Sequence, residues 1–224
     1  MGKDNHLMAD KISNCLGRQD KYIEDYNRAG KAIASMAHYY AIAKSDDEEL
    51  IWEIRDFLNE STIQTSTRVF FDRKSLDGEI VQNHNGKIVK PKGGNRIMIP
   101  YEEDEYKSSL KVRPYKYEDL RFIQELFDTD DGADEIVENT IRLGTNFGVR
   151  ASWIIIKTPP QETRALNPER EVSIYHCGQY GLILLIDCTS TGRSNISKPL
   201  GIKLGLEGKL GLEGFKYWKH NSPI

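Results

Sequence analysis

Glu169-Arg-Glu-Val-Ser-Ile-Tyr-His-Cys-Gly-Gln-Tyr-Gly-Leu-Ile-Leu-Leu-Ile-Asp-Cys188 is the stretch on which the fold turns. It holds the longest apolar run of the chain, Leu182 to Ile186, bounded by Gly181 and Asp187. A run this short cannot span a membrane, but it has the length of a strand buried on both faces. The pattern predicts two strands, Glu171 to His176 and Tyr180 to Cys188, with Gly178 at the turn, and places the second in the core.

Upstream, Val149 to Lys157 reads as a strand stopped by Pro159-Pro160. Before it come two helices. Tyr117 to Phe127 carries Leu120, Ile123, Leu126 and Phe127 on one side, and Asp134 to Leu143 ends at Gly144, which suits a C-cap. Further back the period is two. Strands are expected at Thr67 to Arg73, Glu79 to Asn83, Lys87 to Lys90 and Arg96 to Pro100. Asp77-Gly78 and Asn85-Gly86 would supply the positive φ of tight hairpin turns.

The first sixty residues read as helices. One is expected from Asp10 to Arg28, with a break at Gly30. Ala32, Ile33, Met36, Ala37 and Tyr40 make a helical stripe. Ser45-Asp-Asp-Glu48 has the form of a capping box ahead of a helix with Leu50, Ile51, Ile54, Phe57 and Leu58 on its inner face. The tail repeats Lys203-Leu-Gly-Leu-Glu-Gly208 as Lys209 to Gly214. Two copies are too few for a solenoid, so the repeat reads as an edge strand or an extended arm.

The expected fold class is therefore α+β: an N-terminal helical hairpin or bundle over 1–62, then a mostly antiparallel sheet system over 63–224 with two inserted helices. Within the second part lie a basic meander (67–100), an acidic helical insert (101–145) and C-terminal strands (149–218). A charged content of 29% and a mean hydropathy of −0.57 indicate a polar chain without membrane spans. The net charge of −3 gives no general attraction to nucleic acid or anionic membrane. Three widely spaced cysteines, Cys15, Cys177 and Cys188, fit neither a disulfide framework nor a zinc ribbon. The N-terminus has no signal-peptide core, and His6 stands where a myristoylation site wants Ser or Thr. These features point to a cytoplasmic protein with no metal and no cofactor.

Charge is segregated along the chain. Arg68, Arg73, Lys74, Lys87, Lys90, Lys92 and Arg96 make the meander basic and are its candidate nucleic-acid contacts. Lysines on edge strands also serve simply to prevent aggregation. Phe70 and Phe71 are adjacent, so only one can face outward for stacking. The acidic run Asp128 to Glu135 lacks EF-hand spacing, with Gly132 at the fifth position of the loop and Asn139 at the twelfth; it suits a helix N-terminus. His176 and Cys177 are neighbours on a strand and point to opposite faces, so they cannot act as a pair.

Glu169-Arg170-Glu171 places two carboxylates on one side of a strand. The pattern resembles the Glu-x-Glu signature of arginine-serine-glutamate ADP-ribosyltransferases. The resemblance implies that Glu171 would hold a nicotinamide ribose, with Arg68 or Arg73 as the arginine of an early strand. That family also places a Ser-Thr-Ser strand between the two; here Thr65-Ser66-Thr67 and Thr189-Ser190-Thr191 lie outside the interval. No complete catalytic constellation is present. The leading expectation is a protein that acts through its surface, by self-assembly as a homo-oligomer or by binding a protein partner. A structural or inhibitory protein of virus or phage type would fit. Phe215, Tyr217 and Trp218 are the candidate interface, because Tyr and Trp are enriched at such surfaces. Nucleic-acid binding by the meander and ADP-ribosyl chemistry are the alternatives.

Overall fold

The computed structural model describes residues 8–9, 19–60, 62–75, 77–83, 88, 90–92, 97–98, 120–144, 154–157, 168–176, 184–190 and 197–203. These form a mixed α+β fold. In chain order the elements are β1 (Met8–Ala9), α1 (Gln19–Arg28), β2 (Lys31–Ile33), α2 (Met36–Lys44), α3 (Glu48–Glu60), β3 (Thr62–Phe71), β4 (Asp77–Gln82) and β5 (Ile97–Met98). Then follow α4 (Leu120–Phe127), α5 (Ala133–Gly144), β6 (Ile154–Lys157), β7 (Glu169–His176), β8 (Leu184–Ser190) and β9 (Ser197–Lys203).

The strands join in the order β1-β9-β3-β7-β8-β6, with β2 also on β9 and with β4 and β5 continuing from β3. Most pairings are antiparallel; β3 with β9 and β6 with β8 are parallel. The apolar strand of the opening stretch, β8, lies between β7 and β6, so both its edges are paired. The side chains of β6, β8 and β9 lie outside the described residues.

Alternation along the strands makes the sheet two-faced. Ile63, Val69 and Phe71 of β3 and Val172 and Ile174 of β7 join one apolar cluster with α2, α3, α4 and α5. In that layer the Tyr40 and Phe127 rings stack at 4.8 Å, and Ile51, Ile54, Ile123 and Ile136 are fully buried. The intervening residues, Gln64 and Arg68 on β3 and Glu169, Glu171 and Ser173 on β7, face the other way. There α1 crosses: Tyr22, Ile23 and Tyr26 pack on Ile33 as a separate small cluster, while neighbouring Ala32 belongs to the large one.

Several local expectations are corrected. The stripe from Ala32 to Tyr40 is not one helix, because Lys31–Ile33 pairs with β9 and the helix starts only at Met36. The Ser35 backbone N–H donates to His38 Nδ1 at 3.0 Å, so His38 caps that start and is an acceptor at this nitrogen. Ser45 does not head α3. Its hydroxyl donates to the Ile42 carbonyl, closing α2, and Asp47 Oδ1 accepts the Leu50 N–H at 3.2 Å instead. In the meander, Asp72 Oδ1 accepts the Lys74 and Ser75 N–H groups, which turns the chain before Asp77-Gly78. Gly78 consequently lies in β4, opposite Phe71.

The third expected meander strand is displaced. Ile88 and Lys90 are irregular, and β4 pairs with Ile97–Met98. The Asn85-Gly86 turn, the Gly178 turn and the repeat beyond Lys203 lie outside the described residues. Sequence reading missed β9, whose Gly201 and Pro199 hid a strand that reaches β1, β2 and β3.

Helix α1 ends at Arg28, and Gly30 in the turn that follows has φ +71° and nothing within 4 Å of where a Cβ would stand. The cost of a side chain there is backbone strain alone. Gly30→Ala should lower the unfolding free energy by about 1 kcal/mol, and Gly30→Asn, which tolerates this region, by less. Urea unfolding of the two variants checks the ranking.

Candidate functional site

The site grows from a bulge. Between Gln64 and Arg68 the chain takes four steps on β3 while β7 takes two, from Ser173 to Glu171. Two extra residues preserve the parity of β3, so Gln64 and Arg68 stay on the same face. Thr65, Ser66 and Thr67, all fully buried, carry the excess. Their polar groups leave the ladder and find other partners. Thr65 Oγ1 donates to the Val172 carbonyl at 2.7 Å, and the Ser66 N–H donates to the Ala34 carbonyl at 3.0 Å. Asn83 Nδ2 donates to the Ser66 carbonyl at 2.6 Å, and the Met36 N–H to Thr67 Oγ1 at 2.8 Å. The Gln19 side-chain amide reaches down from α1 to the Thr65 and Thr67 carbonyls.

Arg68 and Glu171 stand opposite each other in register beside this bulge. The Arg68 side chain is only 5% exposed. Its guanidinium donates to Gln19 Oε1, to Asp20 Oδ1 and, at 2.7 Å, to Glu169 Oε1. Glu171 Oε1 accepts the Gln19 backbone N–H at 2.8 Å, and its other oxygen accepts the Gln64 amide. The first N–H of α1 thus points at a carboxylate, as the positive end of a helix favours. Asp20 and Glu169 are half exposed and form the solvent side of the cluster. Glu171 is also opposite Ser190 of β8, where a second register shift occurs.

Burial pushes the Glu171 carboxyl up to about 7 from its ordinary 4.5. The Gln19 N–H, Arg68 and the Gln64 amide pull it back down, and Asp20 adds to the rise. A carboxyl that titrates near neutrality can exchange protons. This one is buried under the start of α1.

The structure sorts the sequence candidates. It gathers Arg68, Glu169 and Glu171, the residues singled out by the ADP-ribosyltransferase resemblance, and leaves Arg73 at the hairpin turn. It removes Arg68 from the basic surface, because the guanidinium is buried among carboxylates. Arg73, Lys74, Lys90 and Lys92 are exposed. Lys87, Arg96, Cys177, Phe215, Tyr217 and Trp218, and the His176 and Cys188 side chains, lie outside the described residues. Gln19 and Gln64, central to the cluster, were missed, since uncharged amides carry no motif. In the acidic run, Asp131 accepts from Tyr40 and Lys44, both at 2.6 Å. Burial raises this carboxyl, but the Lys44, Tyr40 and Thr129 hydrogen bonds outweigh it and hold the group below its usual range. It ties α5 to α2. Among the described residues no three His, Cys, Asp or Glu gather as metal ligands, and no helix is long and apolar enough to cross a membrane.

Compared with known protein families, curated proteins and solved structures, the chain matches none. Fold and site define a mixed α+β protein in which a charged cluster joins a helix to the polar face of a sheet.

The raised Glu171 carboxyl makes stability depend on pH. Its folded value lies above its unfolded one, so stability is full below about pH 4.5 and is lost as pH rises through about 7. The loss is on the order of 3 kcal/mol. Glu171→Gln keeps one acceptor and, with the Gln64 amide turned, both hydrogen bonds. Thermal melts should show wild type losing stability from about pH 4.5 to about pH 7.5 and the variant following a flatter line. A parallel decline in both would remove Glu171 as the source.

Proposed function

We propose that this is a cytoplasmic protein that acts through its surface by assembling with copies of itself, as a homo-oligomer, in a structural or inhibitory role. The observation that carries the reading is the margin at β6. This strand, Ile154-Ile-Ile-Lys157, ends the sheet order and among the described residues is paired on one side only, by β8. Three consecutive β-branched residues favour a strand strongly, and an open strand edge is a template for another chain. A second support is that Arg68, Glu169 and Glu171 are engaged in holding α1. The sequence also carries Phe215, Tyr217 and Trp218, residue types enriched at interfaces.

Successive N–H groups of a strand point to opposite edges, so of Ile155 and Ile156 one directs its N–H to β8 and the other to the margin. Size-exclusion chromatography with light scattering should find wild type as a dimer or larger. One of Ile155→Pro and Ile156→Pro should keep the native circular dichroism and run as a monomer. A wild-type monomer at every concentration, or assembly untouched by both prolines, contradicts the proposal.

A second reading rests on the register at Glu171. Arg68 stands on one side and Ser190 on the other, so arginine, serine and glutamate share one row of the sheet. That juxtaposition favours ADP-ribosyl transfer from NAD. Incubation with NAD and a cell extract should then release nicotinamide, and Glu171→Gln should abolish the release. Unchanged NAD with the wild-type protein removes this reading.

A further inference from the structure

On the polar side of the sheet, next to Glu169, a groove of about 560 Å³ opens along the β3–β4 hairpin. Its apolar wall includes Phe70, Pro91 and Pro168, and Arg73 and Lys74 stand at its rim. The alternation that buries Phe71 in the core, 3% exposed, leaves Phe70 half-buried on the groove side. The two carboxylates of the lining are already engaged. Asp72 Oδ1 accepts the Lys74 N–H at 2.7 Å and the Ser75 N–H at 3.0 Å, and Glu79 Oε1 accepts the Lys92 N–H at 2.6 Å. Arg73, Lys74, Lys90 and Lys92 are exposed.

We propose that this groove binds single-stranded nucleic acid, with one base lying against Phe70 and the flanking phosphates held by Arg73, Lys74 and Lys92. Arg73 and Lys74 in the lining and Lys92 beside it, all exposed, offer cations to a phosphate backbone, although Asp72 and Glu79 also line the groove and the chain as a whole is acidic. A flat apolar wall beside exposed cations is the combination that single strands use, because every base offers a face for stacking. A duplex keeps its bases stacked and cannot offer one. An acidic peptide would also meet the cations. It would offer no base to lie against the Phe70 ring.

The groove and the β6 margin are different surfaces, so binding and assembly can fail separately. Fluorescence anisotropy with a labelled thymidine oligonucleotide of about twenty residues tests the inference. Wild-type affinity should fall with salt at a log–log slope of about −2, as expected for three phosphate contacts. Arg73→Glu and Lys74→Glu should each weaken binding about tenfold, and Arg121→Glu, an exposed change on α4, should not. Phe70→Leu should weaken it about tenfold as well, with native circular dichroism retained. The proposal is overturned if no oligonucleotide binds at low salt, if Arg121→Glu weakens binding as much as the groove variants, or if a duplex binds equally and Phe70→Leu changes nothing. It is also overturned if a glutamate-rich peptide binds in a Phe70-dependent way while the oligonucleotide does not.

Discussion

A guanidinium held away from water between one helix and two strands governs the arrangement of this protein. Arg68 is nearly inaccessible, and a buried charge is tolerated only when its donors are matched and opposite charge is close. Gln19 and Asp20 on α1 and Glu169 on β7 supply the partners. None of them is near Arg68 in sequence. The cluster can form only when α1 lies across the polar face of the sheet with its N-terminus over β3 and β7. The small apolar cluster of Tyr22, Ile23, Tyr26 and Ile33 sets the other end of that crossing.

The bulge at Thr65–Thr67 makes the clamp compatible with a continuous strand. A single extra residue would have turned Arg68 onto the apolar face, beneath α2–α5. Two extra residues preserve its side and release several backbone groups, which the Gln19 amide, Asn83 and the loop before α2 then satisfy. Glu171 is placed by the same geometry. It accepts the first described N–H of α1 and pays for its burial with a weakened acidity. Phe70 lies one alternation further along the same face, which puts its half-buried ring and the groove beside the solvent side of the charged cluster.

Much of the architecture was legible where one period dominates. The spacing of Leu50, Ile51, Ile54 and Leu58 identified the inner face of α3. Leu120, Ile123, Leu126 and Phe127 did the same for α4, and adjacent Phe70 and Phe71 had to part. Where two local signals compete, pattern alone misled. Ser45 and Asp47 both suit a helix N-cap, and the hydroxyl went to the Ile42 carbonyl of the preceding helix. Asp77-Gly78 suits a hairpin turn, but the Asp72 carboxylate closes the chain earlier. Ala32 and Ile33 share helical spacing with Met36, yet β9 supplies a ladder for them, a long-range partner that no window contains. The charged cluster was half legible. Glu169 and Glu171 announced a shared face, and Arg68 was named with them, but a positive charge in a basic segment does not show that it is buried. Gln19 and Gln64 carried no signal.

Native-state hydrogen exchange on Arg68→Met tests the clamp most directly. The substitution keeps apolar bulk and removes the matched charge, leaving Asp20, Glu169 and Glu171 facing one another. The account requires the amides from Ile23 to Arg28 to lose protection while those of Ile51 to Leu58 in α3 keep theirs, a sub-global opening of α1 alone. Unchanged protection in α1, or an equal loss in both helices, would contradict it.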